Sequence, residues 1–336
     1  MQKTSIKSFP YIRTFSCLAI ILLHTLFASN VYFEDVMSDS ALVFSKLFEN
    51  LVMWAVPCFL MITGCLLLNP EREVTQEKIR KYLKRMIVPL LAFTFIFECI
   101  DVYFGLKENI FTGWIYRLFT GQSWAHMWYL YLMIGLYLMI PFYRMITANA
   151  SDRTVWRLIG IIMLFVSLLP LSEVFGISTG FYIPTSIIYP AYLFMGYEIY
   201  KNPIEKNRAA LLFAGCTAAI AALTFYEYNA AGITYENFDH LFEYSSPLVL
   251  GQAAGLFCLM NSIDFRENNI IAALDDCGFG IYIIHMIFIR LSMKHYGFNP
   301  YENGGALAFA GMVLAFYLIS FVITYAVRKA SSKRLL

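Results

Sequence analysis

Charged side chains are scarce in this chain. Only 14% of its 336 residues are Asp, Glu, Lys or Arg, 59% are hydrophobic, and the mean hydropathy is +0.61. A soluble domain carries about a quarter of its residues charged, so a soluble globule is excluded. No polar stretch is long enough to hold a soluble domain between the apolar runs, and no internal repeat or low-complexity segment interrupts them. Metal-type cysteine spacing is also missing. All seven cysteines (Cys17, Cys58, Cys65, Cys99, Cys216, Cys258, Cys277) lie in or beside apolar stretches, where they serve as small packing groups, and no metal site is expected. The first apolar run is too long for a removable signal peptide and has no small-residue cleavage site. A net charge of +2 gives no sign of a nucleic-acid partner.

What the chain does have is a series of apolar runs of membrane-crossing length. Ten can be read, at 10–29, 45–68, 84–104, 127–147, 156–174, 183–200, 209–226, 246–263, 277–293 and 305–327. The expectation is an all-α polytopic membrane protein, with residues 1–336 forming one bundle of about ten transmembrane helices. Gly251, Gln252 and Gly255 dilute the eighth run, Glu98 and Asp101 punctuate the third, and Pro57 and Pro190 interrupt the second and sixth. Aromatics make up 17% of the chain, as expected where rings line both interfaces and pack between helices.

Orientation follows from the cations. If the N-terminus is cytoplasmic, 20 of the 25 Lys and Arg residues fall on that side, leaving Lys46, Lys107, Arg117, Arg290 and Lys294 for the other. The outer loops are acidic instead, with Glu34, Asp35 and Asp39 in one and Glu227, Glu236, Asp239 and Glu243 in another. An even span count returns the C-terminus to the cytoplasm, where Arg328, Lys329, Lys333 and Arg334 can hold it. Both termini are expected inside.

The first run carries an arginine and a histidine at unusual depth. Arg13 and His24 are eleven residues apart, about three helical turns, so they share one face at a separation of roughly 16 Å. Ionisable side chains at such depth cost several kcal/mol unless they face a protein interior or a wet cavity. The pair therefore marks a candidate site, with a snorkelling arginine and a packed histidine as the plainer alternative. His24 falls in the outer half of the membrane and Arg13 near the cytoplasmic boundary, so a site built on both is reachable from both sides.

Four blocks carry a resemblance. They are Arg13 with His24 ten intervening residues later, EKIRKYLKRMIVPLL at Glu77 to Leu91, HMWYLYLMIGLYLMIPF at His126 to Phe142, and GFGIYIIHMIFI at Gly278 to Ile289. In this order the chain resembles the membrane-integral acyltransferase-3 family over nearly its whole length. The resemblance implies a multi-pass protein of a bacterial-type plasma membrane. It also implies transfer of an acyl group, usually acetyl, from cytoplasmic acyl-CoA to a hydroxyl on a glycan, lipid-linked sugar or similar acceptor. Acyl-CoA (acetyl-CoA) would be a co-substrate, with no permanently bound cofactor, and membrane lipids the surrounding partners.

The residues fit such chemistry. Deprotonating a hydroxyl calls for a base near neutral pKa, and His24 is the candidate. Arg13 would attract the anionic donor or hold its pantetheine arm. Arg85, with Lys84 and Lys81 beside it, would meet the coenzyme phosphates; ordinary positive-inside anchoring explains the same cluster. His126, Trp128 and Tyr129 could cap an acceptor pocket, or form an interfacial aromatic belt. His285 faces the bundle interior, as a structural hydrogen bonder or a supporting group. Glu98 and Asp101 could pair with an intramembrane cation or orient His24. The competing class is a transporter or exporter of a small molecule, amino acids included, or of a modified glycan. Matching broken helices in two halves would favour it, and no convincing pair is visible.

Overall fold

The computed structural model describes residues 6–177, 180, 183–230 and 239–330. Lys3, Glu236, Lys333 and Arg334 of the charge pattern lie outside the described residues, as do the side chains of Glu34, Asp239 and His240. In hydrocarbon every backbone N–H and C=O must be satisfied within its own segment, so apolar runs become helices. Among the described residues there is no strand. The α-helices are α1 Ser8–Phe33, α2 Asp39–Leu51, α3 Ala55–Leu67, α4 Gln76–Tyr103, α5 Ile110–Thr120, α6 Trp128–Asn149 and α7 Asp152–Met163, followed by α8 Ile188–Lys201, α9 Lys206–Ala230, α10 Asp239–Phe242, α11 Pro247–Asn261, α12 Asn269–Ile289 and α13 Gly305–Ala330.

Eight helical segments among these residues are long and apolar enough to cross a membrane. The other two expected spans are the short helices α8 and α11, of 14 and 15 residues. Each rises only about 21–22 Å, less than a hydrocarbon core of roughly 30 Å. Both are largely buried, so protein rather than lipid surrounds them.

Several local features depart from a plain string of rods. The second expected span is broken at 52–54 into α2 and α3. Pro57 is the third residue of α3 and Pro190 the third of α8, in first turns whose N–H groups have no helical partner anyway. The two prolines thus start helices rather than interrupt them. The basic segment before the third span is the beginning of one 28-residue helix, α4, capped by the Thr75 hydroxyl accepting from Lys78 N–H. After α7 the fifth span loosens into a π turn, Leu164–Leu168, and a 3-10 segment, Leu169–Phe175. Pro170, which has no N–H to donate, lies at that change. Helix α5 was not expected. It buries none of its side chains, and Phe111, Tyr116 and Phe119 are 66%, 58% and 85% exposed, as on a helix lying in a membrane interface.

Close backbone approach joins α3 to α8. A Cβ on Gly64 would lie 1.9 Å from the Leu193 carbonyl oxygen, and one on Gly196 would lie 2.2 Å from that of Met61. Only glycine allows this crossing.

Helix α1 packs against α2, α3, α11, α12 and α13. It runs parallel to α12, since Arg13 meets Asp275 and, eleven residues on, His24 meets His285. Helix α13 returns antiparallel, bringing Arg328 to Asp276. The beginning of α1 and the end of α13 therefore share one end of the bundle. At the exit of α3, Arg144 donates to the carbonyls of Leu67, Asn69 and Arg72 at 2.7–2.8 Å, satisfying oxygens the helix leaves open.

Candidate active site

Three histidines from three distant parts of the sequence meet inside the bundle. His24 comes from α1, His285 from α12 and His126 from the 3-10 turn Ala125–Met127 ahead of α6. The His24 and His285 rings are stacked at 5.1 Å between centroids, and His126 stands edge-on to them at 6.2 and 5.5 Å. His126 and His285 are fully buried, whereas His24 keeps partial exposure.

The hydrogen bonds assign the protons. A carbonyl oxygen only accepts, so His285 Nδ1 donates to the Ile281 carbonyl at 3.2 Å. In the neutral ring Nε2 is then a lone pair. It lies 2.8 Å from His24 Nδ1, which must carry a hydrogen and donate. What remains on His24 is Nε2 with its lone pair free, the form a general base requires. His126 donates through Nε2 to the Ile283 carbonyl at 3.0 Å, so its Nδ1 is the acceptor, buried and without a partner among the described residues. Tyr282 donates its hydroxyl to the His126 backbone carbonyl, tying the turn to α12.

The remaining candidates fall into separate places. Tyr129 packs on Tyr282 at 5.6 Å, one ring away from His126 and His285. Trp128 meets Tyr129 edge-on at 6.1 Å and, on its other contacts, Tyr189 and Tyr244 at 5.6 and 5.7 Å. Glu98 and Asp101 are joined to Lys107, Arg117 and Arg290 rather than to His24. Arg13 is held by both oxygens of Asp275, each at 2.6 Å. The fork geometry is the strong form of an arginine–carboxylate contact. Arg85 lies over the ring of Phe279 at 5.3 Å, one turn beyond Asp275 on the same helix, with Lys81 and Lys84 exposed beside it on α4.

Asp275 is the site residue that sequence reading missed. The apolar run of the ninth span starts at 277, but the helix begins at Asn269 and carries Asp275 into the bundle, with Asp276 on its surface. The signal was there in register. Asp275 and His285 are ten residues apart on α12, and Arg13 and His24 eleven apart on α1, so two parallel helices pair both.

On the opposite side of α1 lies a cavity of about 740 Å³, lined by apolar side chains such as Leu22, Phe44, Phe213 and Val313. It contains no titratable group and is separate from the histidines. Among the described residues no cluster of His, Cys, Asp and Glu is arranged to hold a metal ion.

Over residues 6–325 the sequence matches the family model described as an acyltransferase domain. No curated protein and no solved structure matches the chain.

Proposed function

Because the chain belongs to the acyltransferase-3 family, we propose that it moves an acyl group from cytoplasmic acyl-CoA to an acceptor hydroxyl at the outer side of the membrane, with His24 as general base. The observation that carries the reading is the proton order Ile281 carbonyl, His285, His24, which leaves His24 Nε2 as an unprotonated acceptor. His24 Nε2 takes the proton of the acceptor hydroxyl as its oxygen attacks the thioester carbonyl carbon. The carbon–sulfur bond then breaks, and the imidazolium returns the proton to the departing thiolate. His285 positions the base in its correct tautomer, and the acyl group is most simply acetyl.

Arg13 acts at the opposite end of the same helix face. Paired with Asp275, it fixes α1 against α12 and so sets the relation of His24 to His285. Arg85, exposed and stacked on Phe279, together with Lys84 and Lys81, supplies cations for the coenzyme phosphates at the terminal end of the bundle, taken as cytoplasmic. His126, Tyr129 and, farther out, Trp128 border the acceptor side. The acceptor class is a glycan or lipid-linked saccharide.

The test is acyl transfer by purified protein in lipid. His24→Ala should lower the rate at least about a hundredfold while abundance and insertion stay near wild type. His285→Gln should lower kcat about ten- to a hundredfold with little change in KM, since it disturbs the base rather than binding. A His24→Ala variant that keeps most of its activity removes the assignment. Absence of acyl-CoA binding at millimolar donor, with solute flux into liposomes, would favour the transporter reading instead.

A further inference from the structure

At the end of the bundle away from both termini, two carboxylates and three cations are drawn into one nearly buried cluster. Glu98 and Asp101, near the end of α4, are 2% and 3% exposed at their side chains. Lys107 Nζ lies 2.9 Å from Glu98 Oε2 and 2.7 Å from Asp101 Oδ2. Arg117 of α5 brings Nε to 2.8 Å from the same Glu98 oxygen, off the hydrogen-bond axis. Arg290 Nη2 donates to Asp101 Oδ1 at 2.9 Å, and Trp124 Nε1 donates to Asp101 Oδ2 at 3.3 Å. Helix α5 presses directly onto this group, since a Cβ on Gly113 would meet Glu98 Oε1 at 2.2 Å.

The paired groups carry more positive than negative charge; Glu98 Oε1 is buried without a hydrogen-bond partner among the described residues, and the donors are not used up either. Arg290 Nε is buried with no hydrogen-bond partner among the described residues. Exposed Lys294, one turn on, has no ion-pair partner among them and lies in Coulomb range of Arg290, Lys107 and Asp101. A buried excess of cationic donors is costly unless an anion meets it. The π turn Arg290–His295 that ends α12 places Arg290 here, and its guanidinium stacks on Trp124 at 4.3 Å. Trp124 stacks in turn on Phe97 at 4.0 Å, and Phe97 packs on His126 at 5.4 Å. A series of ring contacts thus links the cationic cluster to the histidines.

We propose that this cluster binds the phosphate group of a lipid-borne molecule, and so holds the acceptor beside the histidines. Depth and surroundings select the ligand. The cluster lies where α4 and α12, two helices of membrane-crossing length, come to an end, and the neighbouring helix α5 exposes Phe111, Tyr116 and Phe119, rings suited to a lipid interface. Two guanidinium forks and two ammonium groups suit the several oxygens of a phosphate. Its use in acyl transfer rests on the function proposed above; the binding itself does not.

The experiment is a fluorescence titration of the purified full chain in detergent, without acyl donor. The probes are dioctanoyl phosphatidate, dioctanoylglycerol and inorganic phosphate. Phosphatidate should bind saturably, and the two other probes at least about tenfold more weakly. Arg117→Gln and Lys294→Gln should each weaken phosphatidate about tenfold, the usual scale for a lost charged hydrogen bond. Arg290→Lys, which keeps the charge and loses the fork, should weaken it less than Arg290→Gln. Lys206→Gln, at the exposed start of α9 and outside both sites, should leave it unchanged. Equal binding by wild type and the Arg117 and Lys294 variants overturns the site. Equal loss in Lys206→Gln shows diffuse attraction and does the same. Inorganic phosphate binding as tightly as phosphatidate overturns the lipid-borne ligand. Loss of acyl transfer in His24→Ala bears on none of these readings.

Discussion

The two ends of the bundle hold their charges differently. At the end shared by the termini, each partnered arginine has its own counterpart. Arg13 has Asp275, Arg328 has Asp276, and Arg144 has a set of helix-end carbonyls. At the far end Lys107, Arg117 and Arg290 share Glu98 and Asp101, and those two acids are the most deeply buried ion-paired side chains described. Most of the basic residues lie at the first end, yet the denser electrostatic structure is at the second. How charges are matched, and how far water is excluded from them, matters more than how many there are.

The sharpest way to break this contrast is to remove an acid from the far end. Asp101→Leu leaves Arg290 without its buried partner and Lys107 with Glu98 alone, and should destabilise the protein by about 3–5 kcal/mol. Thermal unfolding in detergent, followed by size-exclusion chromatography, reads this directly; an unchanged midpoint would show that the cluster is well hydrated. At the terminal end the corresponding pair is partly exposed, with Arg13 at 31% and Asp275 at 14%. A double-mutant cycle of Arg13→Ala and Asp275→Ala should return a smaller coupling, about 1.5–3 kcal/mol. In the acyl-transfer assay both single variants should lower activity by a similar factor, because both release α1 from α12. If Arg13 instead held the donor alone, only its own variant would raise the acyl-CoA requirement. The smallest effect belongs to Lys201 and Asp152, 2.5 Å apart but 46% and 43% exposed. Lys201→Ala should change stability by no more than about 1 kcal/mol. A larger loss would mean that even the solvated pairs at this end carry structure.

Much of the fold was legible because hydrocarbon permits few alternatives. A long apolar run has to become a helix, so all ten segments are helical, with capping residues such as Thr75 and Ser151 at the starts. Length was harder to read. Burial within protein relieves α8 and α11 of matching the membrane, and sequence hydropathy does not distinguish lipid from a neighbouring helix. Helix α5 is not legible in the sequence because its short apolar runs, broken by Thr112, Gly113 and Arg117, end at eleven residues, well below spanning length. Of the site, His24, His126 and His285 stood out as ionisable groups in apolar surroundings. Their assembly did not, since residues about a hundred and more positions apart are joined only by packing.

The amino-acid sequence by itself determined an all-helical membrane protein, the family it belongs to, and the histidines and Arg13 as candidates, because these follow from hydropathy, periodicity and local motif. The tertiary structure decided who meets whom. It paired Arg13 with Asp275, ordered the protons from Ile281 through His285 to His24, and gathered Glu98, Asp101, Lys107, Arg117 and Arg290 at the far end. Ion pairs and proton order depend on distances of a few ångströms between separate helices, and those distances exist only once the helices have packed.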